Sequence, residues 1–199
     1  MQSRIDVAPK DHPEPRGAEA RRHVQLLAHP RTPCPLVRAL EVTLVRDPAG
    51  DLHLDFALTG NVVSLRVPEV GVPARRDGLW RHTCFEAFFA PGSGTGYREF
   101  NFSPSGDWAA YDFRALREGV ASPDLSRPPR IDVVVHDDVL RLSVSLAAAD
   151  VCVSGTLRAG LTAVVEDVSG AQSYFALAHP RAEPDFHDPA GFVLRLATC

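Results

Sequence analysis

Six residues in one aromatic-rich stretch have side chains suited to holding a polyhydroxylated ligand: Trp80, Glu86, Tyr97, Glu99, Asn101 and Trp108. Each carboxylate can accept several hydroxyl hydrogen bonds, and a carboxamide both donates and accepts. A flat aromatic face packs against the apolar face of a sugar ring, and small-ligand pockets combine such apolar walls with a few placed polar groups. These six are the candidate ligand-binding set. The competing reading is a polar sheet face whose groups are satisfied by one another, since buried polar atoms normally find protein partners. Glu86 and Glu99 would also suit the acid/base pair of a glycosidase, but the sequence does not fix their separation. The expectation is a protein that is not an enzyme.

Other reactive residue types offer less. His82, His179 and His187 fall at strand ends or in loops, and Asp185 and Asp188 flank His187 without a metal-ligand spacing. No metal site is expected. Cys84 stands among aromatics and reads as a small buried hydrophobe, not a nucleophile. Gly92, Gly94 and Gly96 resemble a phosphate loop only superficially: no helix follows them, so they read as a hairpin loop.

These residues need a sheet to position them. Leu79 to Phe113 contains both tryptophans and six of the ten phenylalanines, and it breaks into three extended segments at APGSGTG and SPSG. Period-2 alternation puts Tyr97, Glu99 and Asn101 on one face, with Phe100 and Phe102 on the other. If Phe85, Ala87 and Phe89 face the core, Glu86 joins the polar side. Further strands are expected at HVQLLAHP, on both sides of the turn DPAGD, at VVSLRVP, on both sides of His136-Asp137-Asp138, and at LRAGLTAVVEDV, SYFALAHP and GFVLRL. Tyr111 and Tyr174 are expected at core edges with their hydroxyls bonded. The proline-rich segment from Ala178 to Gly191, with Arg181, Phe186 and His187, is expected to be a rigid connection or to cover one end of the sandwich. Roughly eleven short strands with no helix beyond one turn predict an all-β, two-sheet antiparallel β-sandwich.

Length and composition agree with one domain. The 199 residues are 45% hydrophobic and 23% charged, an ordinary globular balance. A net charge of −4 gives no electrostatic footprint for nucleic acid, and no run reaches the roughly 18 apolar residues of a membrane span. Residues 1–22 have too few large apolar side chains to offset their ordering entropy, so a loosely attached tail is expected before a single domain over residues 23–199. The N-terminal segment lacks the apolar core of a signal peptide, and Cys34, Cys84, Cys152 and Cys199 are widely spaced. Free thiols and a cytoplasmic location are the expectation, with the chain a monomer or homodimer.

The series Trp80, Thr83, Cys84, Phe85, Glu86, Phe88, then Tyr97, Glu99, Asn101, Ser103, Pro104, Gly106, Trp108, Tyr111 and Phe113 resembles the DOMON-like domain family. These bacterial stand-alone domains are related to family 9 carbohydrate-binding modules and to DOMON haem- or sugar-binding domains. The segment from Ala176 to Phe192 resembles their closing segment. The resemblance implies a jelly-roll-like sandwich of about eleven strands, usually non-catalytic, that holds a small ligand, foremost a carbohydrate or a cell-wall sugar precursor. A haem-binding domain is the alternative. Met1 and Lys10 are the only methionine and lysine and both lie in the expected tail, so haem would need histidine-only ligation. A protein-interaction module without a small ligand is the other alternative.

Overall fold

Alternating apolar residues set the strands. In the computed structural model, which describes residues 21–151 and 156–196, β2 (Val37–Arg46) buries Leu40, Val42 and Leu44. Its partner β3 (Leu52–Gly60) buries Leu52, Leu54, Phe56 and Leu58, while the residues between them stay partly exposed. The turn joining them is closed by the Asp47 carboxylate, which accepts from the amides of Ala49 and Asp51 at 2.9 and 3.0 Å. The expected tail lies outside the described residues except for Arg21 and Arg22, and Arg22 opens β1 (Arg22–Ala28).

The remaining strands are β4 (Cys84–Pro91), β5 (Tyr97–Phe102), β6 (Trp108–Phe113), β7 (Arg130–His136), β8 (Val139–Leu146), β9 (Leu157–Glu166), β10 (Gln172–Ala176) and β11 (Leu194–Leu196). All pair antiparallel. One sheet runs β1-β2-β3-β8-β7 and the other β10-β9-β4-β5-β6, with β11 on β9. The first strand belongs to both: Arg22 to Leu26 pair with β2, whereas Leu27 and Ala28 pair with β10. The expected β-sandwich is thus the observed fold, with a strand crossing between sheets at one corner. Between the sheets, Phe56 of β3 meets Phe85 of β4 with ring centroids 5.2 Å apart.

One expected strand is absent. VVSLRVP forms a 3-10 turn over Val62–Ser64 followed by the single bridge Leu65 to Asp167. Val62 and Leu65 are buried, three residues apart, while Val63 is exposed, so the inward residues keep the spacing of a turn and not the period-2 row of a strand.

The second sheet departs from simple alternation. Cys84 through Ala90 are buried without interruption, so β4 is covered on both faces. Its inner residues join the main core; on the outer face Phe88 and Ala90 form a second apolar cluster with Tyr97 and Phe192, flanked by Phe113 and Phe186. The proline-rich segment 178–192 therefore lies across the outer face of this sheet.

Candidate ligand-binding cleft

The outer face of the second sheet is only partly covered, and the uncovered part is a cleft of about 590 Å³. That volume falls in the range of small-molecule sites. Strand register builds the floor. Glu86 on β4 stands opposite Asn101 on β5 and Thr162 on β9; Glu99 on β5 stands opposite Phe88 and Tyr111. Val164 of β9 and Gln172 and Tyr174 of β10 extend the floor. The walls come from three connections. A 3-10 turn, Leu79–Arg81, carries Trp80 and Arg81; the loop after β6 carries Arg117 and Val120; segment 178–192 carries Pro184, Phe186 and His187.

Of the six candidate residues, Trp80, Glu86 and Glu99 line the cleft. The Trp80 ring is 42% exposed and stands edge-on to Tyr111 with centroids 6.1 Å apart. Tyr97 and Asn101 share the face but are buried beneath it: the Tyr97 ring stacks on Phe113 at 4.7 Å, and Asn101 has no exposed surface. Trp108 is placed elsewhere, and its assignment to the ligand face is corrected. Its side chain belongs to the core between the sheets, and the Arg75 guanidinium carbon sits 5.3 Å from its ring centroid. The strand period explains this: on β6, Trp108 and Ala110 point inward, so Tyr111 and Phe113 take the outer face.

The two carboxyls on the floor sit in low-dielectric surroundings. Glu86 is 2% exposed, and its carboxyl's one hydrogen-bond partner among the described residues is Thr162, whose hydroxyl donates at 3.1 Å. Burial, reinforced by the neighbouring Glu99 charge, pushes its pKa well above the usual carboxylate range, and the Thr162 bond pulls back only partly. Glu99 is 5% exposed and accepts from Asn101 Nδ2 at 2.8 Å. Burial raises it to about 7 against the opposing pull of that bond and of the Arg117 charge. Near neutral pH the pair therefore holds at least one proton.

His187 closes this arrangement. Burial, with the nearby Arg117 charge, lowers it to about 4, so its ring is neutral at pH 7. The Arg117 amide donates to the Tyr97 hydroxyl at 3.1 Å, and that hydroxyl stands 2.8 Å from His187 Nδ1. Where the hydroxyl donates its own proton to Nδ1, the neutral imidazole carries its proton on Nε2. Nε2 lies 3.8 Å from Glu99 Oε2. That distance and the neutral ring make this a close approach and not an ion pair. The Arg117 guanidinium is engaged by Asp185 at 2.9 Å.

Several lining residues escape a reading of the sequence. Tyr111 and Tyr174 have bonded hydroxyls as expected, to Asp77 at 2.7 Å and Gln172 at 3.1 Å, but both line the cleft. Tyr111 could have been found by extending the alternation of β5 to β6. Arg117, with a φ of 55°, sits in a turn whose position no periodicity announces. Among the described residues, His187 is the one histidine lining the cleft, so bis-histidine haem ligation is not assembled there, and no cluster of three metal-ligating side chains occurs. Cys34 and Cys84 are free thiols; Cys152 and Cys199 lie outside the described residues.

No family model matches this chain. No curated protein matches it either. Among solved structures, a candidate carbohydrate-binding protein from Bacteroides uniformis superposes with a TM-score of 0.65 over 86% of this chain and 84% of that one, at 15% identity. A family 9 carbohydrate-binding module from Caldicellulosiruptor kristjanssonii, in complex with cellotriose, gives a TM-score of 0.48 over 77% of this chain and 72% of that one, at 11% identity. The chain shares its β-sandwich fold with the Bacteroides protein.

Proposed function

We propose that this chain is a non-catalytic carbohydrate-binding domain of the DOMON-like kind, with its ligand in the cleft between Trp80, Tyr111 and Tyr174. The observation that carries the reading is the composition of the floor and walls. Two buried carboxyls, Glu86 and Glu99, lie beneath an opening flanked by the exposed Trp80 ring, Tyr111 and Tyr174, with Gln172 alongside. This supplies acceptors for hydroxyls and flat surfaces for a pyranose ring. The fold shared with the Bacteroides protein and the motif series from Trp80 to Phe113 support the same reading.

A hydrolytic role fits less well. A glycosidase pair needs one carboxyl held protonated and the other held ionised. Here neither carboxyl is hydrogen-bonded to a cation among the described residues that would hold it ionised.

Thermal denaturation with mono- and oligosaccharides at millimolar concentration tests the reading. A sugar at ten times its Kd should add about 1.4 kcal/mol of stability, a shift of roughly 2–6 °C in Tm. Trp80→Ala should abolish the shift. If no sugar moves the Tm or quenches tryptophan fluorescence, the reading fails.

A further inference from the structure

The acids around the cleft are treated unequally. Glu166, on the same strand as Thr162 and 4% exposed, is paired with Arg66 at 2.8 Å and with His82 at 2.7 Å. Asp185 is paired with Arg117 at 2.9 Å, and Asp188 with Arg181 at 2.6 Å. Glu86 and Glu99, as deeply buried, receive no cation among the described residues. The chain places arginines against its other buried or half-buried acids here and leaves these two open.

The floor also has more acceptors than donors. Glu86 Oε1 has no hydrogen-bond partner among the described residues, and Glu99 Oε2 has only the 3.8 Å approach of His187. Asn101 Oδ1, opposite Glu86 in the strand register, is buried and unbonded. The group missing from such a set has several N–H donors and a positive charge, which describes an ammonium. A hydroxyl would offer one donor and no charge. Trp80 and Tyr111 add aromatic faces, which attract cations as well as stacking on sugar rings.

We infer that the cleft takes an amino sugar whose amino group is unacylated and protonated, with this ammonium on Glu86 and Glu99 and the ring against Trp80 and Tyr111. The inference rests on the carbohydrate reading and narrows it. The other titratable or charged groups facing the carboxyl pair are Cys84 on β4, Tyr97 and Tyr111 on β5 and β6, Arg117 on the loop after β6, and His187 on segment 178–192. Of these, Arg117 is held by Asp185 and His187 is neutral at pH 7; Arg81 also stands on the cleft wall, but its charge is not among those that act on either carboxyl. An arriving ammonium therefore meets a partly protonated pair and displaces a proton.

Titration calorimetry on the full chain, with glucosamine, N-acetylglucosamine, glucose and ethylamine as probes, tests this. Glucosamine is expected to bind at least about ten-fold more tightly than the other three, as the gain of charge-assisted hydrogen bonds implies. Its binding should release protons, read as a dependence of the heat on the buffer's ionisation enthalpy. Glu86→Gln and Glu99→Gln, each shown by a thermal melt to be folded, should lose the preference for glucosamine. If N-acetylglucosamine or glucose binds as tightly as glucosamine, the inference is overturned and the carbohydrate reading stands. If ethylamine binds as tightly as glucosamine, the amino-sugar assignment is overturned. If no sugar binds, both fall. The comparison among probes on the parent chain decides the matter even if the variants do not fold.

Discussion

The Tyr97 hydroxyl and His187 Nδ1 lie 2.8 Å apart, joining β5 to the segment that crosses the outer face from 90 residues further along the chain. The same hydroxyl accepts the Arg117 amide at 3.1 Å, so one phenol ties two walls of the cleft to its floor. Tyr97→Phe removes both bonds and leaves the stacking on Phe113. The expected cost is about 1–3 kcal/mol in chemical denaturation, the scale for leaving buried groups unpaired. Nitrogen chemical shifts of the His187 ring should also change, because Nδ1 loses its hydrogen-bond partner. Unchanged shifts with unchanged stability would show that the tie does not form in solution.

The carboxyl pair and His187 should write opposite signs into the pH dependence of stability. Glu99 is raised from 4.5 to about 7, so the folded chain binds more protons than the unfolded one between those values. Stability from this group is complete below pH 4.5 and is lost as pH rises through about 7. His187 is lowered from 6.5 to about 4, so its contribution is complete above pH 6.5 and is lost as pH falls through about 4. In the parent chain the two oppose each other across the acid range. Glu99→Gln should remove the Glu99 arm, so stability should fall less, or rise more, between pH 4.5 and about 7 than in the parent, with Glu86 and His187 still opposing each other. At pH 8 this variant should exceed the parent by on the order of 2–3 kcal/mol. Urea denaturation at half-unit pH steps reads both arms. A Glu99→Gln variant no more stable than the parent at pH 8 would contradict the proposed burial penalty. A gain there combined with lost ligand binding would place the two acids among groups kept for function at a cost in stability.

The sheet was legible because period 2 is a local property. Leu40, Val42 and Leu44 announce β2 without reference to any other strand, and Tyr97, Glu99 and Asn101 announce a polar face. Glu86 could be placed beside them because Phe85, Ala87 and Phe89 fix the parity of β4. Parity also exposes the error at Trp108: it sits an odd number of residues from Tyr111, so the two cannot share a face of β6. The segment carrying Phe186 and His187 was legible as a rigid connection or a cover over one end of the sandwich, but it lies on the outer face of the second sheet. Which face it covers depends on contacts with Phe88 and Tyr97 about 90 residues away, and no local pattern encodes them. Arg117 was hidden for the same reason, since its role depends on where its loop meets Asp185.

The two tryptophans should separate cleanly in experiment. Trp108 is 8% exposed within the main core, whereas Trp80 is 42% exposed at the cleft. Trp108→Ala should cost about 3–5 kcal/mol, as for a large aromatic removed from a core. Trp80→Ala should cost less, about 1 kcal/mol, since it loses mainly the edge contact with Tyr111. Ligand-induced fluorescence change should survive in Trp108→Phe and vanish in Trp80→Phe. A signal that follows Trp108 instead would move the binding site away from the cleft.

Gly160 offers a test of the covering segment that touches no cleft-lining side chain. It lies on β9 opposite Phe88, on the outer face. A Cβ built there would stand 2.6 Å from Cδ1 and 3.1 Å from Cε1 of Phe192. The Phe192 ring cannot yield freely, because it stacks on Phe88 with centroids 5.5 Å apart and meets Tyr97 edge-on at 5.6 Å. Gly160→Ala should therefore force Phe192 outward and cost about 1–3 kcal/mol, the scale of overpacking. The displacement should loosen segment 178–192, raising amide exchange around Phe186 and His187 and weakening ligand binding although Glu86, Glu99 and Trp80 are untouched. Adding Phe192→Ala should relieve the clash, so the double variant should be more stable than the sum of the two single costs predicts. Strict additivity would mean that the two residues do not press on each other and that Gly160 is small for some other reason.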